Sequence, residues 1–385
     1  QAQAALEEAR HDRGYSPYRV VLPPQPLSDT VTLNVVRFTL GKVEIQGNGR
    51  YFDGANIRHA LPELKEDTSP NLKRLARETA VANENASRQL VVALKQAEDS
   101  DTIRATVRVK EEAPWSAGIG WNNYGTTETG HDRLTVSGSY NNLFNLDHVV
   151  GAAYTTSVDH PQRVKQVGLT YRAPFYSWGG VAFASFIDSD VVGTFGLNAS
   201  NSDYTTFKST ADGRNIKLGY SHYLVPSGGY RSYLTLAFED KLYRATEIEG
   251  QPVQEDRRSR PLSLAYTGRL EAERRLVVYN AEFAGNVGGG SNNDLESYRT
   301  ENIDIETTHW KALRGGASYW AEVASGWQFL VRGLAQYSPD LLIAGEAFGL
   351  GGGGSVRGSP GRALYGDSGV SLTLEATTPQ WVQGL

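Results

Sequence analysis

The sequence predicts a mostly β chain: a large antiparallel β-barrel that crosses a membrane, preceded by small α+β structure. Three observations carry this. From Trp115 onward, about twelve short segments alternate apolar and polar residues at hairpin spacing. Many are close to the roughly ten residues that a tilted strand needs to cross a bilayer. Runs of good helix formers, by contrast, occur only before Pro114.

In order, residues 1–38 read as the end of a first small α+β domain. Ala2 to Arg10 are good helix formers, stopped by Gly14 and Pro17. Tyr18 to Leu22 reads as a strand, Pro23-Pro24 breaks it, and Thr30 to Val36 alternates as another. Residues 39–112 read as a complete β-α-α-β-β domain. Its elements are a strand Lys42–Gln46, a helix capped by Asp53 and carrying Ile57 and Leu61, a helix from Pro70 to about Asn85, and strands Gln89–Lys95 and Ile103–Lys110. At roughly 70 residues this module has no room for an enzyme cleft beside its core.

Residues 113–385 carry the alternation. Leu234, Leu236 and Phe238 alternate with Thr235, Ala237 and Glu239; Val370, Leu372 and Leu374 alternate with Ser371, Thr373 and Glu375. One face is apolar and the other holds Lys217, Glu239, Arg269, Glu282, Arg332 and Glu375. A water-soluble sandwich shows the same period, so alternation alone does not decide. Links of alternating length do favour a membrane barrel, tight at Pro226–Gly229 and Glu271–Arg274 and long near 190–212 and 288–307. So do aromatics expected at strand ends as interfacial girdles: Trp121, Tyr140, Phe175, Tyr176, Trp178, Tyr223, Tyr230, Trp310, Trp320 and Trp327. Nothing after Trp115 reads as helix, and Glu255–Arg260 reads as a solvated charged loop.

Composition narrows the function. No apolar run reaches the roughly 18 residues of a membrane helix, and a mean hydropathy of -0.42 suits strands that are apolar on one side only. The absence of cysteine removes disulfides and thiolate chemistry. A net charge of -5 with no basic stripe argues against nucleic acid. Gly349-x-Gly351-x-x-Gly354 fits a dinucleotide fingerprint without the strand and helix that it requires. Gly366-Asp-Ser-Gly369 resembles a protease nucleophile turn but reads as a turn entering a strand. No His pair has metalloprotease spacing, and no enzyme activity, cofactor or metal is expected.

A loop from about Ser338 to Asp367 is too long for a hairpin connection. At its centre, Gly351 to Ser355 precede Val356-Arg357-Gly358-Ser359. With Gly366-Asp-Ser-Gly369, Leu372–Glu375, Asn141–His148, Pro23-Pro24-Gln25, Leu33–Val36 and Val43–Asn48, this run resembles the two-partner secretion transporters of Gram-negative outer membranes, within the superfamily of barrels that carry POTRA domains. The resemblance implies a loop folded into the barrel lumen, with Arg357 paired to an acidic residue on the inner wall; Glu375 and Asp367 are nearby in sequence, and neither is assigned. Ser359 stands where the family has an aromatic residue.

The resemblance further implies a monomeric pore in outer-membrane lipid, with POTRA domains in the periplasm capturing a secreted partner polypeptide (a haemolysin, adhesin or toxin). Candidates for capture are the helix with Asp53, Ile57 and Leu61 and the strand with Gln89, Val91, Ala93 and Lys95, by analogy with strand addition at a sheet edge. The family barrel has about sixteen strands, so the last few are expected to be missing from this sequence. Two other functions stay open: a factor of the same superfamily that assembles other barrels, and a soluble β-rich adhesin or binding module.

Overall fold

The computed structural model describes residues 2–15, 18–25, 31–47, 49–96, 101–123, 125, 129–191, 193–196, 206–209, 212–245, 247–248, 251–252, 254–323, 326–351, 355–356, 359 and 364–379. The chain begins with α1 (Ala2–Asp12) and a ribbon of β1 (Tyr18–Val21) and β2 (Asn34–Arg37). Of the expected strand from Thr30 to Val36, Thr30 lies outside the described residues and residues 31–33 are unpaired with β1, whose four residues pair with Asn34 to Arg37.

A small module follows, made of β3 (Thr39–Gln46), α2 (Gly54–Ala60), α3 (Leu72–Ala82), β4 (Arg88–Gln96) and β5 (Thr102–Glu111). Its sheet order is β3-β5-β4, with β3 parallel and β4 antiparallel to β5. Each helix starts on a side-chain cap. Asp53 Oδ1 accepts from the Asn56 amide at 2.8 Å, and Asn71 Oδ1 accepts from the Lys73 and Arg74 amides. The helices cover one sheet face and bury Leu40, Phe52, Ile57, Leu61, Leu90 and Val107. Each such side chain contributes about 1.5–3 kcal/mol.

The same core holds a buried carboxyl group. Glu78 on α3 is buried and accepts from the Glu63 amide at 3.1 Å. Burial pushes its carboxyl up to about 8. The unfolded chain ionises at the ordinary glutamate value, so it gains stability relative to the folded form as pH rises between the two. The stabilising contribution is therefore complete at pH values below the ordinary one and lost by about pH 8. We expect the module to lose about 1–3 kcal/mol between pH 5 and 8, and Glu78→Gln to flatten this slope. The urea midpoint of module unfolding, followed through a probe on Glu44→Cys, measures both.

The remainder is one large sheet. Its strands are β6 (Trp115–Asn122), β7 (Arg133–Leu143), β8 (His148–Ser157), β9 (Lys165–Phe175) and β10 (Gly180–Ser189). A hairpin of β11 (Gly193–Gly196) and β12 (Thr206–Ser209) follows, then β13 (Gly213–Tyr223) and β14 (Tyr230–Tyr243). Next come the short β15 (Glu247–Ile248), β16 (Gln251–Pro252) and β17 (Arg257–Ser259), and the long β18 (Pro261–Ala272) and β19 (Arg275–Asn286). After α4 (Leu295–Arg299) the chain forms β20 (Lys311–Glu322), β21 (Gln328–Tyr337), the hairpin β22 (Phe348–Leu350) and β23 (Leu364–Gly366), and β24 (Gly369–Thr377).

This is a 13-stranded antiparallel sheet running in sequence order from β6 to β24, with β17 beside the end of β14. The hairpins β11–β12, β15–β16 and β22–β23 are excursions at the ends of long strands. The register carries the alternation across strands. Tyr220, Leu236, Leu264, Phe283 and Leu313 are successive neighbours on the outer face, and Ser221, Thr235, Ala265, Glu282 and Arg314 on the inner one. The outer row stands exposed: Leu236 is 56% accessible and Leu372 67%. Exposed apolar side chains in a band across many strands are the lipid-facing surface of a membrane barrel.

Several expectations need correcting. Trp310 is not an interfacial residue: it is fully buried on the inner side with Tyr298, Ile305 and Ile343. Tyr176 and Tyr223 also face inward, completing the core of the small module from the barrel side. Helix α4 exists where the sequence showed none; with five residues it is too short for a periodic pattern, and its start is fixed by Asp294 Oδ1 accepting from the Ser297 amide. The run Glu255–Arg260 is not a solvated loop. Arg257 is buried against Glu301 at 2.9 Å, and Arg258 and Arg260 both reach Asp240. The inward carboxylates decide this, and a sequence window cannot see them.

Candidate functional site

The inner face is occupied by the chain itself. Downstream of Ser338 the loop turns inward, and Leu342 and Ile343 join Trp310, Tyr298, Ile305 and Tyr243 in an apolar cluster. The Ala344 amide donates to Glu301, which also holds Arg257. The turn then delivers Glu346, whose side chain is 1% exposed.

Four wall residues converge on it. Lys241 and Tyr243 on β14 reach its carboxylate, Lys241 Nζ at 3.2 Å from Oε1 and the Tyr243 hydroxyl donating to Oε1 at 2.8 Å. Arg314 on β20 donates to Oε2 at 2.9 Å and to the Glu346 carbonyl at 3.2 Å, and Gln336 on β21 donates to the same carbonyl at 3.0 Å. The cations are shared with other carboxylates. Lys241 lies 3.5 Å from Glu239, which pairs with Lys217 at 3.1 Å, and Arg314 lies 3.6 Å from Glu282. A buried carboxylate with this many partners is a strong mechanical fixture, because losing one side leaves the other charged and unsolvated.

The glycine-rich part of the loop is placed only in part. Ser355 Oγ closes a turn on Gly351, accepting from its amide at 2.8 Å and donating to its carbonyl at 3.0 Å. Val356 is half exposed, and Ser359 closes a turn on it, donating from Oγ to the Val356 carbonyl at 2.8 Å. Arg357 and Gly358 lie outside the described residues. Asp367 accepts from the Leu342 amide at 2.7 Å and so ties the two ends of the loop together.

The expected capture residues separate into two groups. Ile57 and Leu61 are each 1% exposed in the module core, so they present no surface to a partner; helix α2 needs its apolar face to cover its own sheet. Asp53 is occupied as a cap and also accepts from Asn145 Nδ2 of the β7–β8 turn at 2.9 Å, which holds its carboxyl below the ordinary range. Gln89, Val91, Ala93 and Lys95 are exposed on β4, the outer strand of the sheet, which among the described residues pairs only with β5. At its start, the Asn83 side chain bonds both the amide and carbonyl of Leu90, standing in for a neighbouring strand. The period of two gives Val92 and Leu94 the same outward main-chain direction.

Sequence reasoning missed Glu346, Lys241 and Arg314. The available signal was the inward row Glu239, Lys241 and Tyr243 on one strand, three polar groups that need partners away from lipid.

A family model described as haemolysin secretion/activation protein ShlB/FhaC/HecB matches residues 102–385. The chain belongs to this family. Members and relatives place it as an outer-membrane β-barrel. It is 24% identical over 379 residues to the outer membrane transporter CdiB of Escherichia coli O6:K15:H31 (strain 536 / UPEC), covering 94% of this chain and 60% of that one. It is 23% identical over 387 residues to another E. coli outer membrane transporter CdiB, covering 96% of this chain and 61% of that protein. The chain thus spans about 60% of the length of these relatives. Solved structures of CdiB from E. coli and from Acinetobacter baumannii share its fold, with TM-scores of 0.75 and 0.68 at 20% and 16% identity. Each covers 99% of this chain, which accounts for 69% and 68% of theirs.

Proposed function

We propose that this protein is the pore of a two-partner, type V secretion system, exporting a large polypeptide from the periplasm to the cell surface or medium. In this reading residues 39–112 are a POTRA domain and residues 1–38 the end of another, both periplasmic. The barrel acts as a monomer in outer-membrane lipid and moves its partner without catalysis. The observation that carries the proposal is the loop fixed by Glu346 inside a barrel whose opposite, short-turn end bears a module with an open sheet edge. An extended polypeptide adds to β4 at Val92 and Leu94, beyond the Asn83 block, with specificity from neighbouring exposed side chains such as Val91, Ala93 and Lys95.

The test is secretion of a partner encoded beside the gene, using the full-length protein with and without Arg357→Ala. Secretion is expected to fall about tenfold or more while the barrel stays folded and inserted. Unchanged secretion together with falling levels of other outer-membrane barrels would instead support a barrel-assembly factor. Extraction of the protein by buffer without detergent would support a soluble adhesin.

A further inference from the structure

The contact between the module and the barrel is a built joint, and its centre is an ion pair with no exposure to solvent. Arg88, the first residue of β4, faces Asp147 in the β7–β8 turn; their side chains are 0% and 1% exposed. The guanidinium meets the carboxylate with both terminal nitrogens, Nη2 at 2.8 Å from Oδ2 and Nη1 donating to Oδ1 at 3.0 Å. Asp147 further accepts from Asn56 Nδ2 of α2 at 2.8 Å and from the Tyr176 hydroxyl of the β9–β10 turn at 2.5 Å. Arg88 also donates to Asn56 Oδ1 and lies over the Phe52 ring, 5.3 Å from its centroid. Asp147 is held with φ +60°, a left-handed conformation that non-glycine residues adopt at a cost. Two elements of the module and two turns of the barrel therefore meet on one carboxylate.

Apolar contact alone would fuse these surfaces, since Tyr176, Val181 and Tyr223 already complete the module's core. The Arg–carboxylate pair adds direction, because the hydrogen bond from Nη1 to Oδ1 and the close approach of Nη2 to Oδ2 together favour one relative orientation. The pair sits at the first residue of the strand whose edge is open, and Arg88 borders a cleft of about 610 Å³ between α3, β4 and the barrel turn Pro226–Arg231.

We infer that Arg88 and Asp147 are positioning residues that lock the module in one orientation on the barrel, so that β4 and this cleft present a bound chain at a fixed place beside the short-turn mouth. The inference rests on the export reading for its consequence, and on geometry alone for the lock.

Since the chain has no cysteine, spin labels on Glu44→Cys and Glu273→Cys report the module-to-barrel distance in the full-length protein. The labelled parent is expected to give one narrow distance distribution. Asp147→Asn should broaden it and reduce export about tenfold or more, while the barrel remains heat-modifiable on gels. An Arg88→Leu/Asp147→Leu double variant removes both charges; its melting should recover towards the parent's while the distribution stays broad and export stays low. Recovery of export with melting would show a merely structural pair and overturn the proposal. A distribution unchanged by Asp147→Asn would overturn the lock itself, and broadening without loss of export would overturn positioning. If the parent exports nothing, the export reading fails, and the distances still judge the lock.

Discussion

Glu346→Ala is expected to release the inner loop and to destabilise the barrel by about 3–5 kcal/mol. The reason is what it leaves behind. Lys241 would keep a single carboxylate neighbour, Glu239, which is already shared with Lys217. Arg314 would keep one carboxylate, Glu282 at 3.6 Å, beside its neutral partners, Gln336 Oε1 and the main-chain carbonyl of residue 346. The Tyr243 hydroxyl would lose its acceptor inside an apolar cluster. Glu346→Gln keeps the shape and part of the hydrogen bonding, and should cost less. Urea midpoints of the folded, heat-modifiable form measure the stability. Labelling of Leu342→Cys, buried in the parent, measures loop release, which should appear in Glu346→Ala well below its unfolding midpoint.

Leu236→Arg should cost about 2–4 kcal/mol at the membrane midplane, with Thr235→Arg nearly neutral. Leu236 is flanked by Tyr220 and Leu264 in the outer apolar row, where a guanidinium would meet hydrocarbon. Thr235 points inward, 2.8 Å from Ser221 in a row that already holds Glu282 and Arg314. A membrane-folding assay in lipid vesicles compares the two. Equal tolerance of both substitutions would contradict the lipid-facing assignment.

What was legible in the sequence follows from which forces are local. Period-two alternation fixes the face of each strand, and a one-residue slip would expose every inward polar group to lipid; hence the strands and their outer rows could be read directly, and the links of alternating length, tight at 226–229 and 271–274, favoured a barrel over a sandwich. Long connections carry no period. Trp310 looked like a girdle residue because it precedes a strand, but the tertiary neighbours Ile343 and Tyr298 bury it. The apolar face of α2 suggested a groove at Ile57 and Leu61, yet a module this small needs that face for its own core.

The functional site was legible in part for the same reason. The loop and its glycine run stand out by length and composition. Its fixture, Glu346 held by residues from β14, β20 and β21, depends on a register linking positions more than a hundred residues apart in the case of Lys241. The resemblance pointed to an arginine on the loop and an acid on the wall. The described residues show the converse arrangement, an acid on the loop and cations on the wall, which fixes the loop near its base.

The most direct measurement of the central proposal is transport across a reconstituted membrane. The full-length protein would be inserted in lipid vesicles, and the unfolded partner polypeptide, encoded beside its gene, presented on the module-bearing side without nucleotide. Protease-protected partner accumulating inside the vesicles, and less of it with Asp147→Asn, is the predicted result. Partner that binds and stays protease-sensitive, with vesicles instead gaining ability to fold other barrels, would contradict the account.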